Sequence, residues 1–200
     1  MNTRLRGTLC GIGAAVCYGT NPLGAINLYN DGISASATLF YRFALACLTL
    51  GIMMAVQRKS FAVTRRELGI LALLGVFMST SSTTLYFSFL FMDVGVASTL
   101  LFVYPVMVAV IMATMFKEKV TKTTILAITL ALAGIALLNR SGDGTALSLW
   151  GVTLVMLSSL TYAVYIVVVN KSPLRMSSVK LTFYVLFFGM FTILGYTLVL

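Results

Sequence analysis

One uncharged stretch, residues 96–116, constrains this chain more than any other. It is long enough to cross a bilayer as a helix, and charged residues at 117–119 end it. Pro105 lies inside the stretch, and proline cannot donate the helical hydrogen bond to the carbonyl of Leu101. Membrane helices tolerate proline where neighbouring groups satisfy the freed carbonyl. The stretch therefore predicts a bent membrane-spanning helix beside a cavity, with the Leu101 carbonyl satisfied by a neighbour.

The composition of the whole chain is that of a membrane protein. Hydrophobic residues make up 60% and charged residues 10%, whereas soluble domains carry about 25% charged residues. The basic residues fall into short clusters between apolar stretches, so the net charge of +9 does not indicate nucleic-acid binding. Histidine is absent, which removes histidine metal ligands and the Ser-His and Cys-His nucleophile pairs. We expect no enzyme activity, cofactor or metal.

Seven stretches are long and apolar enough, or nearly so, to cross a bilayer. They are residues 7–28, 35–56, 68–92, 96–116, 123–138, 147–169 and 181–200. No stretch remains for a soluble domain, so the predicted fold class is an all-α polytopic membrane protein. The first stretch is not expected to be a cleaved signal peptide, because Asn21-Pro22 interrupts it and six more spans follow.

The positions of lysine and arginine orient these spans, because cytoplasmic loops are rich in both. With the N-terminus inside, all but two of the 14 basic residues lie in inner segments. Arg140 then lies in an outer segment and Arg42 within a span. The sequence therefore predicts a cytoplasmic N-terminus.

An offset of 144 residues aligns the first two spans with the last two. It pairs Gly7 with Gly151 and Tyr18 with Tyr162. If five spans make one unit, the odd number gives a second unit the opposite orientation, as in the inverted repeats of many secondary transporters. The predicted domains are a five-helix unit at 1–139 and the first two helices of a second, incomplete unit at 140–200.

Four places in the chain resemble the EamA-type members of the drug/metabolite transporter superfamily. They are Tyr18-Gly19-Thr20-Asn21-Pro22; Tyr41-Arg42-Phe43; Ala97-Ser98-Thr99-Leu100-Leu101 with Pro105 and Glu118; and Gly151 with Ser158-Ser159 and Tyr162-Ala163. The resemblance covers nearly the whole chain and implies ten helices in two inverted five-helix units, seven of them present. We therefore expect a chain truncated at its C-terminus relative to this family.

The resemblance also implies a function. It predicts a secondary transporter, most simply an exporter of metabolites such as amino acids or of drug-like solutes, working by alternating access. The alternative is a non-transporting scaffold, or a partial subunit that needs a partner chain to complete its cavity. The expected surroundings are a bacterial inner membrane, with a small-molecule solute and the lipid bilayer as partners and no nucleic acid. Whether the chain forms a homodimer is left open.

Polar and aromatic residues of several spans are candidates for lining a solute cavity, because aromatic walls with a few polar groups suit small amphipathic solutes. The candidates are Tyr18, Asn21, Ser79, Ser82, Thr83, Tyr86, Thr99, Tyr104, Ser158, Tyr162 and Tyr165. Ser79, Ser82 and Thr83 have the spacing of one helix face, whereas other hydroxyls of 79–84 are expected to bond to their own helix. For every candidate, core packing with a satisfied hydroxyl is the alternative role.

A second group of residues is expected to act on structure or gating. Its members are Pro22, Arg42, Pro105 and Glu118. A charge within a span is a functional hypothesis by default, but Arg42 lies near the outer end and can also snorkel. An anchoring role and a direct substrate contact therefore both stay open. Glu118 is expected to brace the inner loop without touching the solute.

The fourth and fifth spans each carry a stripe of small residues, which allows membrane helices to approach closely. One stripe is Pro105, Ala109 and Ala113, and the other is Ala127, Ala131 and Gly134. The two stripes are predicted to pack together. No carboxylate lies within a span, so proton coupling through a membrane carboxylate has no candidate in the sequence.

Overall fold

The structure, a computed structural model, describes residues 3–118, 124–126, 128–130, 133 and 148–199. The helices whose two ends lie among these residues are α1 (Thr3–Gly19), α2 (Asn21–Asn30), α3 (Ala35–Val56), α4 (Arg65–Ser88), α5 (Val94–Leu101), α6 (Tyr104–Met115), α7 (Leu149–Lys171) and α8 (Ser178–Val199). Residues 124–126, 128–130 and 133 are also helical. The described part of the chain contains no strand.

Six stretches of the described residues are long and apolar enough to cross a membrane. They are Gly7–Asn30, Ala35–Val56, Arg65–Ser88, Val94–Met115, Leu149–Lys171 and Ser178–Leu198. They correspond to six of the seven predicted spans and confirm the all-α membrane fold class. The remaining predicted span, 123–138, lies mostly outside the described residues, and so does its small-residue stripe.

The third predicted span begins earlier than its apolar pattern suggested. Helix α4 starts at Arg65 because Thr64 and Glu67 form a capping box. The Thr64 hydroxyl accepts from the Glu67 amide at 3.3 Å, and the Glu67 carboxylate accepts from the Thr64 amide at 2.8 Å. Two otherwise unpaired amides of the first turn are thereby satisfied.

Helix α4 lies at the centre of the bundle, where it packs against both α7 and α8, and α3 also packs against α8. Glycines allow the closest approach. A Cβ atom on Gly75 would lie 2.6 Å from the Cβ of Phe188, and one on Gly189 would lie 2.8 Å from the ring of Phe43. Because no side chain fits at either position, Gly75 allows the close approach of α4 to α8, and Gly189 allows α8 to pack against Phe43 of α3.

Helix α1 is much less packed than the rest of the described bundle. Only 6% of the apolar window in the first span is buried, against 33% in α4. Leu9, Ile12 and Val16 are exposed along its length, and Gly7, Gly11 and Gly13 have no other group close to them. Among the described helices, α1 is therefore held mainly at its end, where the chain continues into α2.

Candidate functional site

The first span is interrupted at Thr20. Helix α1 ends at Gly19 and α2 begins at Asn21, with Pro22 in the first turn of α2. The Thr20 hydroxyl donates to the carbonyl of Cys17 at 3.0 Å and so satisfies one of the last carbonyls of α1. The break follows from the proline, which cannot continue the hydrogen-bond ladder of α1.

The fourth span is interrupted three residues before Pro105, as the proline predicts. Helix α5 ends at Leu101 and α6 begins at Tyr104. Because Pro105 has no N–H, the carbonyl of Leu101 needs another donor. The Ser159 hydroxyl on α7 donates to that carbonyl at 3.2 Å. The prediction that a neighbouring group satisfies the Leu101 carbonyl is therefore confirmed.

The two breaks face each other across a small cavity of about 90 Å³. The first break contributes Tyr18, Gly19, Asn21 and Pro22; the second contributes Ser98, Leu101 and Phe102; and α4 adds Leu85 with the adjoining Phe89. The Ser98 hydroxyl is buried there without a hydrogen-bond partner. Two proline-interrupted spans thus meet at the points where their backbones are irregular.

A cluster of tyrosines lies beside the second break. The ring of Tyr104 meets that of Tyr162 edge to face with 4.8 Å between centroids, and Tyr162 stacks on Tyr165 at 5.8 Å. Tyr18 lies on the wall of the adjoining cavity of about 90 Å³, opposite Leu101 and Phe102 of the second break. The structure therefore brings together three of the predicted cavity residues, Tyr104, Tyr162 and Tyr165, although none of the three lines a described cavity.

A polar chain joins the first break to α3 and α4. Arg42 donates from Nη1 to the Tyr86 hydroxyl at 2.6 Å, and that hydroxyl donates to Oδ1 of Asn21 at 3.0 Å. The Tyr29 hydroxyl donates to the main-chain carbonyl of Tyr86 at 3.2 Å. Asn21, Arg42 and Tyr86 also line a cavity of about 570 Å³ between α2, α3 and α4.

The hydroxyl-rich part of α4, residues 79–84, packs mainly against other helices and contributes little to the cavities. Ser79 is fully buried and donates to the carbonyl of Val76 at 3.0 Å. Ser81 and Ser158 are both buried and bond to each other, with their oxygens 3.1 Å apart and Ser158 also donating to the Ser81 carbonyl at 2.7 Å. Ser158 thus belongs to the α4–α7 contact, not to a cavity among the described residues.

The remaining hydroxyl candidates are dispersed. Ser82 lines none of the described cavities. The Thr83 hydroxyl is buried and has no partner. Thr99 donates to the Gly95 carbonyl of its own helix at 2.8 Å. None of Ser79, Ser82 and Thr83 lines a described cavity.

Glu118 ties the end of the fourth span to α7. Its carboxylate lies 2.6 Å from Nζ of Lys171, and that ammonium group also lies over the ring of Phe116. This contact fits the predicted bracing role. The small-residue stripe Pro105, Ala109 and Ala113 lines a separate cavity of about 310 Å³, beside Glu118 and Thr124. Its predicted packing partners, Ala127, Ala131 and Gly134, lie outside the described residues.

Sequence reasoning singled out neither Thr38 nor Ser81, and gave no separate role to Ser98 or Ser159. The pattern of adjacent serines at 158 and 159 does not reveal that one bonds to α4 and the other to α5, because the rotation of α7 decides this. Among the described residues, no group of three or more histidine, cysteine or acidic side chains is arranged to hold a metal ion.

Comparison with known proteins gives one match. The model of the EamA-like transporter family matches residues 5–140, which is more than half of the chain. No curated protein matches the chain. No solved structure matches it either.

Proposed function

This chain belongs to the EamA-like transporter family, and we propose that it carries small amphipathic organic solutes across the membrane by alternating access. The family is one of membrane transporters, and the six apolar spans of the described residues make the chain a multi-pass membrane protein. The solute class, the direction and the mechanism are our proposal. The observation that carries it is the meeting of two interrupted spans beside the tyrosine cluster.

Interrupted helices support a carrier because they are a general feature of secondary transporters. Irregular backbone at membrane depth is stable only where protein or a cavity surrounds it, and binding sites form there. The rings of Tyr104, Tyr162 and Tyr165 offer apolar faces, and their hydroxyls offer hydrogen bonds. This combination suits a solute with an apolar part and a few polar groups, such as an amino acid or a drug-like amine or amide.

The helix packing supports an inverted repeat with domains at 1–139 and 140–200. The offset of 144 residues makes α3 and α8 equivalent, and these two helices pack against each other. Equivalent helices touch in this way when a two-fold axis passes between them. Rocking of one unit against the other about such an axis would expose the tyrosine cluster to each side in turn.

The proposed direction is export from the cytoplasm, with the N-terminus inside and the bacterial inner membrane as the location. The distribution of basic residues supports this orientation. The described carboxylates lie at helix ends, as with Glu67 in the first turn of α4 and Asp93 capping α5. Proton coupling through a carboxylate in mid-membrane is therefore not part of the proposal.

Transport by inside-out membrane vesicles tests the proposal. Vesicles from cells expressing the chain should accumulate one or more labelled amino acids or aromatic amines above vesicles lacking it. Tyr162→Ala should reduce that rate about tenfold, because it removes both aromatic contacts. Tyr162→Phe keeps the ring and should lose less. Tyr196→Phe is the matched control, since its hydroxyl bonds to Thr80 away from the cluster.

Two outcomes of the same assay would contradict the proposal. If the inserted chain moves none of a broad solute panel, the carrier hypothesis fails for this chain. If it transports but Tyr162→Ala is as fast as the unaltered chain, the solute does not use the tyrosine cluster.

A second candidate, a partial subunit that needs additional helices, is favoured by the exposure of α1. Its residues Leu9, Ile12 and Val16 are each more than half exposed. Reconstitution of the purified chain alone into liposomes separates the two candidates. Transport by the chain alone supports the carrier, whereas transport that requires a second membrane protein supports the partial subunit.

A further inference from the structure

The cavity between α2, α3 and α4 has a chemistry distinct from that of the tyrosine cluster. Its volume is about 570 Å³, and most of its wall is apolar, including Leu28, Ile33 and Leu45. Two polar groups of α3, Thr38 and Arg42, lie on the same wall one helical turn apart. A mostly apolar cavity with a few convergent polar groups is the usual form of a small-molecule site.

Thr38 is unusual among the helical threonines of this chain. Most of the others donate their hydroxyl to the carbonyl four residues earlier, as is usual in membrane helices. Those threonines are Thr49, Thr84, Thr99, Thr114, Thr129, Thr153, Thr161, Thr192 and Thr197. Thr38 is only 6% exposed, and its hydroxyl has no partner. A buried hydroxyl left unpaired is costly, so its place on the cavity wall points to a ligand.

Arg42 supplies a positive charge beside that hydroxyl. Its side chain is exposed to the cavity, and a single N–H group is committed, to Tyr86. Tyr86 in turn donates to Asn21, which fixes the guanidinium on this wall. No carboxylate pairs with Arg42 in the described part of the chain. An arginine within a membrane span remains charged and favours a partner of opposite charge.

We infer that this cavity binds the oxyanion of an amphipathic molecule. The carboxylate or phosphodiester accepts hydrogen bonds from the guanidinium of Arg42 and, once the Thr38 side chain turns its buried hydroxyl toward the cavity, from Thr38. The apolar part of the molecule lies against Leu28, Ile33 and Leu45. Such an anion is either a soluble organic carboxylate or the headgroup of an anionic lipid, since both carry the same chemistry. The inference does not depend on transport or on the tyrosine cluster.

Binding to the purified full chain in a neutral detergent tests the inference. Phenylbutyrate and phosphatidylglycerol are the anionic probes, and phenylbutanol and diacylglycerol are their neutral counterparts. At least one anionic probe should raise the thermal unfolding midpoint, because a ligand that binds only the folded state stabilises it. The neutral counterparts should not. A response to phenylbutyrate alone identifies a soluble solute, and a response to phosphatidylglycerol alone identifies a lipid.

Two threonine variants test the geometry. Thr38→Val removes the unpaired hydroxyl without changing the side-chain volume, and it should raise the Kd of the responding anion about tenfold. The unliganded protein should be no less stable, since no protein hydrogen bond is lost. Thr83→Val is the matched control, because the Thr83 hydroxyl is also buried and unpaired but lies outside this cavity. Its Kd should not change.

Arg42→Gln should abolish measurable binding of the anion. If that variant does not fold, the comparison of Thr38→Val with Thr83→Val tests the inference by itself. The inference is overturned if neither anion shifts the midpoint or if a neutral counterpart shifts it equally. It is also overturned if Thr38→Val binds the responding anion as tightly as the unaltered protein.

Discussion

The two proline-interrupted spans are stabilised at their breaks in different ways. At the second break, Ser159 on α7 donates to the carbonyl that Pro105 leaves unpaired, and α5 and α6 both pack on α7. At the first break, α1 is exposed, and the contact with α4 lies at the start of α2, between Asn21 and Tyr86. One break is held by a packed neighbour and the other by a polar chain.

This difference shows what makes an irregular backbone stable at membrane depth. A freed carbonyl needs a donor, and a donor stays in place only when its helix is fixed by close packing. Helix α7 is fixed against α4, whereas α1 has no such support among the described helices. We therefore expect the second break to be rigid and the first to respond to whatever occupies the adjoining cavities.

The largest expected effect separates the packed helices from α1. Gly75→Ala places a Cβ 2.6 Å from Phe188 and 3.0 Å from the backbone of α8. Overpacking of this kind should lower the free energy of unfolding by about 3 kcal/mol. Gly11→Ala, in the exposed helix, should have no cost and should favour the helix slightly. Unfolding by SDS titration in mixed micelles measures both, and an equal loss in the two variants would refute the contrast in packing.

The next effect concerns the donor at the second break. Ser159→Ala leaves the Leu101 carbonyl without a partner in a buried position, which should cost about 1–2 kcal/mol of unfolding free energy. Ser98→Ala is the control from the same region, because the Ser98 hydroxyl has no partner to lose. The same titration should rank Ser159→Ala clearly below Ser98→Ala. Equal stabilities would mean that the hydroxyl of Ser159 does not support the break.

A smaller effect is expected from the polar chain at the first break. Tyr86→Phe removes the hydroxyl that accepts from Arg42 and donates to Asn21, and it keeps the buried ring. The loss should be about 1 kcal/mol, which is within the range found for hydrogen bonds between membrane helices. Hydrogen exchange of the α2 amides should become faster in this variant, while that of α5 stays the same. Faster exchange in α5 instead would contradict the separation of the two breaks.

The smallest effect belongs to the ion pair that joins the end of the second interrupted span to α7. The Glu118 and Lys171 side chains are substantially exposed, so Glu118→Gln should cost only about 0.5 kcal/mol. The loss should shrink further as salt is added, because ions screen an exposed pair. If Glu118→Gln lost more unfolding free energy than Ser159→Ala, the span would be fixed to α7 mainly at its end and not at the break.

The sequence predicts the spans and the breaks well because both follow from local chemistry. Hydrophobic length locates each described helix, and Pro105 alone predicts the unpaired carbonyl of Leu101. The start of α4 was misplaced because a Thr-x-x-Glu capping box extends the helix into charged residues. The contacts that the sequence does not predict depend on how each helix is rotated. Rotation of α7, for example, decides that Ser159 and not Ser158 reaches the break. Thr38 could not be recognised from sequence, since only the packed structure leaves its hydroxyl unpaired.

Cross-linking between the two breaks tests the central claim most directly. Gly19→Cys and Phe102→Cys face the same cavity, and they are introduced after the free thiols Cys10, Cys17 and Cys47 are replaced by alanine. A short bifunctional maleimide should join this pair within one chain, and a transported solute should slow the reaction. The control pair Gly11→Cys and Phe102→Cys, about 12 Å farther along α1, should react much less. Failure to cross-link in a protein that still inserts and transports, or equal reaction of both pairs, would contradict the account.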